Sequence, residues 1–228
     1  MQPGHPLDRP VWNALTTRQA GLGRGDGQAV RLDPEYGLFA AAVDGSPGAL
    51  AALAALVPDR GGLALVETAP PPPIPGAAAA EPRSLWQMVA DHLTAASPPD
   101  FEITPLTDAD APRMLALARL TEPGPFFART HQLGDFVGVK QEGRLIAMAG
   151  ERMKPTGFTE VSGVCTHPEH RGRGYAGALL RVVTARILAR GETPFLHAYA
   201  SNTGAIGLYQ SLGFSLRRKM AMTVLTRG

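Results

Sequence analysis

The sequence predicts an α/β fold, and three observations carry that prediction. A short apolar run, Val161–Thr166, leads into a glycine-rich turn, His167–Gly177, which opens a segment with Leu179, Val182, Val183, Ile187 and Leu188 at helical spacing. From Phe101 onward, strand-like and helix-like segments alternate to the last residue. A Pro/Ala-rich stretch, Ala69–Pro82, and a Pro/Ser-rich one, Ala95–Asp100, set an earlier segment apart, so the expected domains are an accessory α/β domain over 1–97 and a second domain over 98–228.

Bulk properties narrow the classes. The 228 residues suffice for one large or two small cores, and 44% hydrophobic with 18% charged residues is ordinary for a globular chain. A net charge of +2 gives no footing for nucleic acid or an anionic membrane as partner. The single cysteine, Cys165, rules out an internal disulfide framework and a cysteine-rich zinc site, and its strand position predicts a buried thiol. Met1–Asp8 has no basic stretch followed by an apolar run, so no secretory signal is expected. No segment reaches the ~18 apolar residues of a membrane span. A cytoplasmic location and a monomer or homodimer are the expectations.

The elements follow in order. Asp8–Leu15 reads as a short amphipathic helix docking Trp12, Gln28–Leu32 as a half-buried strand, and Leu38–Val43 as a second strand. Ser46 caps a helix from Pro47 to Leu56, with Pro47 at its first position. Gly62–Val66 is a strand, and Ser84 is expected to cap a helix through His92 that buries Trp86, Met88 and Val89. In the second part, Phe101–Leu106 is a strand, and Thr107–Asp110 caps a helix whose apolar face is Met114, Leu115, Leu117, Ala118 and Leu120. A short helix is expected within Phe126–Leu133. Two strands flank Gln141-Glu142-Gly143 as a hairpin. Phe158–Thr166, the glycine turn and its helix, a strand Pro194–Ala200, a helix Thr203–Leu212 and a strand Phe214–Leu225 complete the chain.

A strand that runs through glycines into a helix aims free N–H groups and the positive helix end at one point, which suits a phosphate. Glycine lets the anion approach the amides and reaches the required φ at little cost. No Gly-Lys-Ser/Thr follows, so the turn is not a P-loop, and its glycine spacing does not fit a dinucleotide fingerprint. It does fit Arg171-x-x-Gly174-x-Ala176, and downstream stand Asn202, Tyr209 and Leu212-Gly213-Phe214. Together these resemble the pyrophosphate loop and C-terminal motif of the GNAT N-acetyltransferase superfamily over about residues 100–228. The resemblance implies a mixed sheet whose middle strands splay apart to admit acetyl-CoA. By its position, the first domain resembles the degenerate half that two-part members carry.

The resemblance also implies roles. The backbone of Gly172 to Gly177 (with Arg173, Gly174, Tyr175 and Ala176) cradles the pyrophosphate, and Arg171 and Arg173 add charge. The edge of Val164, Cys165 and Thr166 pairs with pantetheine, and Asn202 bonds it. Tyr209 protonates the departing thiolate, consistent with the ordinary acidity of a phenol. The base stays open. Glu160, eleven residues before Arg171, is expected to act through water with a raised pKa. His197 is its rival, and Glu151 a weaker option. Phe126, Phe127, Arg129, Thr130 and His131 are expected at the acceptor, where an arginine suits a carboxylate. No metal is expected. The implied reaction is direct transfer from acetyl-CoA to a primary amine, of a small molecule or amino acid first, with a protein N-terminus or lysine as the alternative acceptor. A non-catalytic acyl-CoA-binding module is the alternative from another class.

Overall fold

The computed structural model describes residues 4–228; Met1–Pro3, the start of the segment read for a secretory signal, lie outside the described residues. The elements in chain order are α1 (Pro10–Thr16), β1 (Gly23–Gly25), β2 (Ala29–Leu32), β3 (Ala40–Ala42), α2 (Pro47–Ala55), β4 (Leu63–Glu67), β5 (Ala77–Ala79), β6 (Arg83–Val89) and β7 (Thr104–Leu106). Then follow α3 (Ala111–Thr121), β8 (Phe136–Gln141), β9 (Arg144–Glu151), β10 (Phe158–Thr166), α4 (Tyr175–Ala189), β11 (Thr193–Tyr199), α5 (Thr203–Leu212) and β12 (Ser215–Arg227). The helix boundaries follow local chemistry. Ser46 Oγ accepts from Ala49 N at 3.4 Å with Pro47 behind it, and Asn202 Oδ1 accepts from Ala205 N at 3.1 Å. Thr107 and Asp110 form a capping box before α3, where Lys140 reaches Asp110 at 2.8 Å. Residues 130–133 make a 3₁₀ turn in place of the short α-helix.

The strands form two sheets. β1-β2-β3 is a small antiparallel meander, and the large nine-stranded sheet runs β4-β12-β6-β11-β10-β9-β8-β7, with β5 added beside β12. Among the described residues of the large sheet β10 and β11 pair in parallel and the other ladders are antiparallel, so the sheet is mixed as expected.

Two expectations are corrected. Residues 84–92 do not form a helix: β6 is a strand bonded to β11 on one side and β12 on the other. Its Leu85 and Met88 are apolar and buried, but Gln87 is buried as well, and a polar residue at an inward position hides the strand alternation from a sequence reading. The boundary at residue 97 also fails as a structural division. β4 and β6, both before it, are strands of the large sheet. The first segment therefore supplies the small meander plus three main-sheet strands, β4, β5 and β6.

The core explains why the parts stay together. Neighbouring residues of β11 serve opposite faces, as strand pleating requires. Leu196 packs with Leu179, Leu180, Val183 and Ile187 of α4, whereas Phe195 packs with Leu7, Val11 and Phe39 of the N-terminal layer and with Met220 of β12. On the far half of the sheet α3 contributes Met114 and Leu117 against Phe136, Met148 and Cys165. The N-terminal layer has an apolar cluster of its own around Leu50, Leu53 and Leu63, which Leu225 of β12 joins, and it packs on the C-terminal sheet through Leu7, Val11 and Phe39. Residues 98–228 expressed alone lack the strand between β11 and β12, and they are expected to show no cooperative unfolding transition by circular dichroism. A cooperatively folded fragment would contradict this topology.

Candidate active site

The site begins where two strands part. β10 and β11 pair at Phe158↔Thr193, Thr159↔Pro194 and Glu160↔Phe195, and no further. β10 stays bonded to β9 through Thr166, and β11 to β6 through Tyr199, so each strand remains anchored while their facing edges separate. The β9–β10 register shifts between Ser162 and Cys165, where Gly163 has φ +64°. A Cβ on Gly163 would lie 2.9 Å from the Phe136 ring, so both conformation and space call for glycine at this bulge. The result is a cleft of about 640 Å³, bordered by Val164–Thr166 on one strand and His197–Tyr199 on the other.

The glycine turn closes one end of this cleft. Gly172 and Gly174 have φ +76° and +79°, and a Cβ at either would meet nothing within 4 Å, so the need here is conformational. Gly174 is the N-cap of α4, and no side chain caps the helix. The amides of Tyr175–Gly177 belong to the first helical turn and have no intrahelical acceptor. Arg171 and Arg173 are exposed beside them, with Arg171 Nε 3.4 Å from Thr166 O. The Tyr175 side chain turns inward, where its hydroxyl accepts from Gln141 Nε2 at 3.2 Å and its ring meets Phe101 edge-on. The turn therefore offers uncommitted donors and positive charge, a fit for a pyrophosphate.

At the vertex sits a buried charged cluster. Glu160 is fully buried; Arg152 donates to it through Nε at 2.8 Å and Nη2 at 2.9 Å, and His197 Nδ1 lies 2.8 Å from its Oε1. Burial alone would push the Glu160 carboxyl up, but the Arg152 guanidinium and the His197 bond override it and hold the pKa at about 2. The expected raised pKa is thus corrected. A carboxylate this acidic, walled off from the cleft and already accepting from two side chains, is a poor general base.

The tautomer of His197 follows from its neighbours. Gln87 Nε2 donates to Leu7 O at 2.9 Å, and Gln87 Oε1 accepts from Arg217 Nη1 at 2.7 Å. A carbonyl only accepts and a guanidinium only donates, so the amide orientation is assigned without ambiguity. The remaining amide hydrogen then faces His197 Nε2 at 3.1 Å, which must be the lone-pair nitrogen. Nδ1 carries the proton and donates it to Glu160. Both ring nitrogens are engaged, so His197 is a positioning residue in this arrangement and not the free base anticipated. Glu151 also drops out, buried against Arg190 at 2.7 Å and Lys154 at 3.0 Å.

Other expected residues divide between cleft and core. Tyr209 and Asn202 line the cleft, and burial raises the Tyr209 pKa, keeping the phenol protonated. The Cys165 side chain packs beneath α3, where burial pushes its thiol up to about 11, unsuited to a nucleophile. From the expected acceptor segment only Pro123–Pro125 reach the cleft. Phe126 packs edge-on to Phe136, Arg129 pairs with Glu35 at 3.0 Å over the Tyr36 ring, Thr130 bonds Tyr36 O, and His131 meets Asp108 at 3.0 Å.

The rest of the cleft lining comes from residues the sequence did not single out for function. Phe39, Val66, Leu85 and Met222 form an apolar wall, Arg152 borders it, and Glu122 is the carboxylate in the lining. Glu122 ends α3 at φ +49°, a conformation uncommon for a side-chain-bearing residue and frequent at functional sites. Outside the vertex, His167, Glu169 and His170 bring ligand-type atoms within 4.8 Å of one another, although His167 Nδ1 already accepts from Glu169 N at 3.4 Å.

The vertex makes a pH prediction. A carboxyl at about 2 in the folded protein, against an ordinary 4.5, stabilises the fold fully above pH 4.5 and loses that contribution as pH falls toward 2. The expected loss is on the order of 3 kcal/mol. Glu160→Gln, which strands the Arg152 charge, should lower stability at pH 7 by about 3 kcal/mol or more and flatten the acid slope in denaturant titrations. An unchanged slope would show that Glu160 is not held in this state.

Comparison with known proteins now adds to the geometry. The family model described as FR47-like protein matches residues 136–223. The chain is 34% identical over 129 residues to the N-alpha-acetyltransferase RimI of Mycobacterium tuberculosis, covering 50% of this chain and 80% of that one. A crystal structure from Novosphingobium aromaticivorans, of a protein assigned to the GNAT family of acetyltransferases, is 51% identical with a TM-score of 0.91 over 98% of this chain and 99% of the other. A GCN5-related N-acetyltransferase from Kribbella flavida, 21% identical with a TM-score of 0.64 over 96% of each chain, shares the fold through the N-terminal layer as well.

Proposed function

Because the chain belongs to the GNAT family of N-acetyltransferases, we propose that it moves an acetyl group from acetyl-CoA directly to the primary amine of a small molecule. The observation that carries this reading is one opening holding three things: an unpaired strand edge, a turn of free amides and a half-buried, protonated phenol. The pyrophosphate lies against the Gly172–Gly177 amides and beside Arg171 and Arg173. Pantetheine follows Val164–Thr166, with the Asn202 side chain shared between the α5 cap and the cofactor.

The amine attacks the thioester carbon, the tetrahedral intermediate collapses, and the C–S bond breaks. The departing thiolate takes the Tyr209 proton, and the amine releases its own through water toward Glu122. Cys165, too deep and too weakly acidic, takes no part, so no acyl-enzyme forms. The apolar wall, to which the first segment gives Phe39, Val66 and Leu85 and β12 gives Met222, closes the acceptor end and favours a compact amine with an apolar body. Likeness to a protein named N-alpha-acetyltransferase RimI supports a second reading, a peptide N-terminus as acceptor.

Thiol release from acetyl-CoA against a panel of amines, amino-acid amides and short peptides tests the proposal. Wild type should turn over best with a small apolar amine. Tyr209→Phe should lower kcat by about 10²-fold or more with acetyl-CoA affinity kept, and Glu122→Gln should lower it less, by about 10-fold. A Tyr209→Phe enzyme with wild-type kcat would remove the phenol from the mechanism. Peptides outpacing every small amine would install the second reading.

A further inference from the structure

The Arg152 guanidinium is only partly spent. Its Nε and Nη2 edge is committed to Glu160, its plane lies over the Phe39 ring at 4.6 Å, and its backbone N–H donates to Glu160 O at 3.0 Å. Gln19 Nε2 fixes the peptide behind it by donating to Arg152 O at 2.8 Å. The third nitrogen, Nη1, makes no hydrogen bond to any described residue, although the side chain is only 12% exposed and borders the cleft. Across from it stands Gly124 at φ +122°, where an added Cβ would come to 4.0 Å from Nη1.

Building on the acceptor reading above, we infer that Arg152 Nη1 is a specificity donor, which binds an uncharged carbonyl oxygen on the carbon next to the acceptor's amine. Three features select that chemistry. A guanidinium already clamped along one edge and stacked on an aromatic ring loses little freedom in making another bond. Its charge is balanced by Glu160, so a substrate carboxylate would set a second anion on one cation. Arg171 and Arg173, the other cations of the lining, stand at the pyrophosphate turn. A neutral carbonyl carries no such penalty, and it accepts from a donor that has no hydrogen-bond partner among the described residues. The preferred acceptor is then an α-amino amide or similar compound rather than a simple alkylamine or a free amino acid.

The test uses full-length enzyme with acetyl-CoA and three acceptors sharing one side chain: phenylalaninamide, phenylalanine and 2-phenylethylamine. Wild type should favour the amide over both others by about 10-fold or more in kcat/KM. Arg152→Lys, which keeps the charge facing Glu160 and removes the fork, should lower kcat/KM for the amide about 10-fold more than for phenylethylamine, the extra loss falling mainly on KM. Equal losses on both compounds would make Arg152 merely structural and overturn the inference. Should Arg152→Lys fail to fold, the wild-type ratios decide alone: amide and phenylethylamine used equally, or phenylalanine preferred, overturns it. Wild type acetylating none of the three, while still binding acetyl-CoA by calorimetry, would bring down the small-amine reading and this inference with it.

Discussion

Everything in the site depends on the parting of β10 and β11 after Glu160↔Phe195. Parallel strands that separate leave backbone donors and acceptors unpaired, a costly state in a sheet interior. The protein confines the cost to the cleft and secures both strands on their outer sides, β10 to β9 and β11 to β6. The Arg152–Glu160–His197 cluster sits at the vertex and ties the two strands and the end of β9 together by side chains where the ladder stops. A buried ion pair is weak evidence for net stability, but here its partners are multiply hydrogen-bonded and its position is definite. Its structural task is to hold the mouth of the cleft at a fixed width.

The same cluster connects the catalytic opening to the N-terminal layer. From His197 the hydrogen bonds continue to Gln87 on β6, then to Leu7 O and to Arg217, which meets Asp8 at 2.7 Å. Phe39, from the small meander, packs under Arg152 and also forms part of the acceptor wall. One set of contacts therefore joins a layer remote in sequence to the residues that border the acceptor. That arrangement gives the first segment a physical role: it shapes the acceptor end and completes the sheet.

The glycine turn, the caps of α2 and α5, the hairpin at Glu142-Gly143 and the strand–turn–helix around residue 174 were legible because each is written in adjacent residues. Asn202 and Tyr209 were picked out through the resemblance of the C-terminal motif, and both line the cleft. β6 was misread because Gln87, an inward residue serving a hydrogen-bond network, interrupts the apolar alternation by which strands are recognised. The vertex was half seen. Glu160 could be placed by its offset from Arg171, yet its acidity is set by Arg152, just past the end of β9, and by His197, 37 residues away. Non-local partners decide protonation, and no local pattern announces them. Arg152 itself lies in the run Ala147–Met153, where Glu151 and Arg152 follow apolar residues, and adjacent charges at the end of a core strand are the signal that could have flagged it.

The central claim, that the splayed strands and the glycine turn form one site for acetyl-CoA, is tested most directly by amide hydrogen exchange with and without acetyl-CoA. The account predicts slowed exchange confined to Val164–Thr166 and Gly172–Gly177, together with the start of α5 beside Asn202. Protection that leaves the β10 edge unchanged and falls on a different part of the sheet would contradict it.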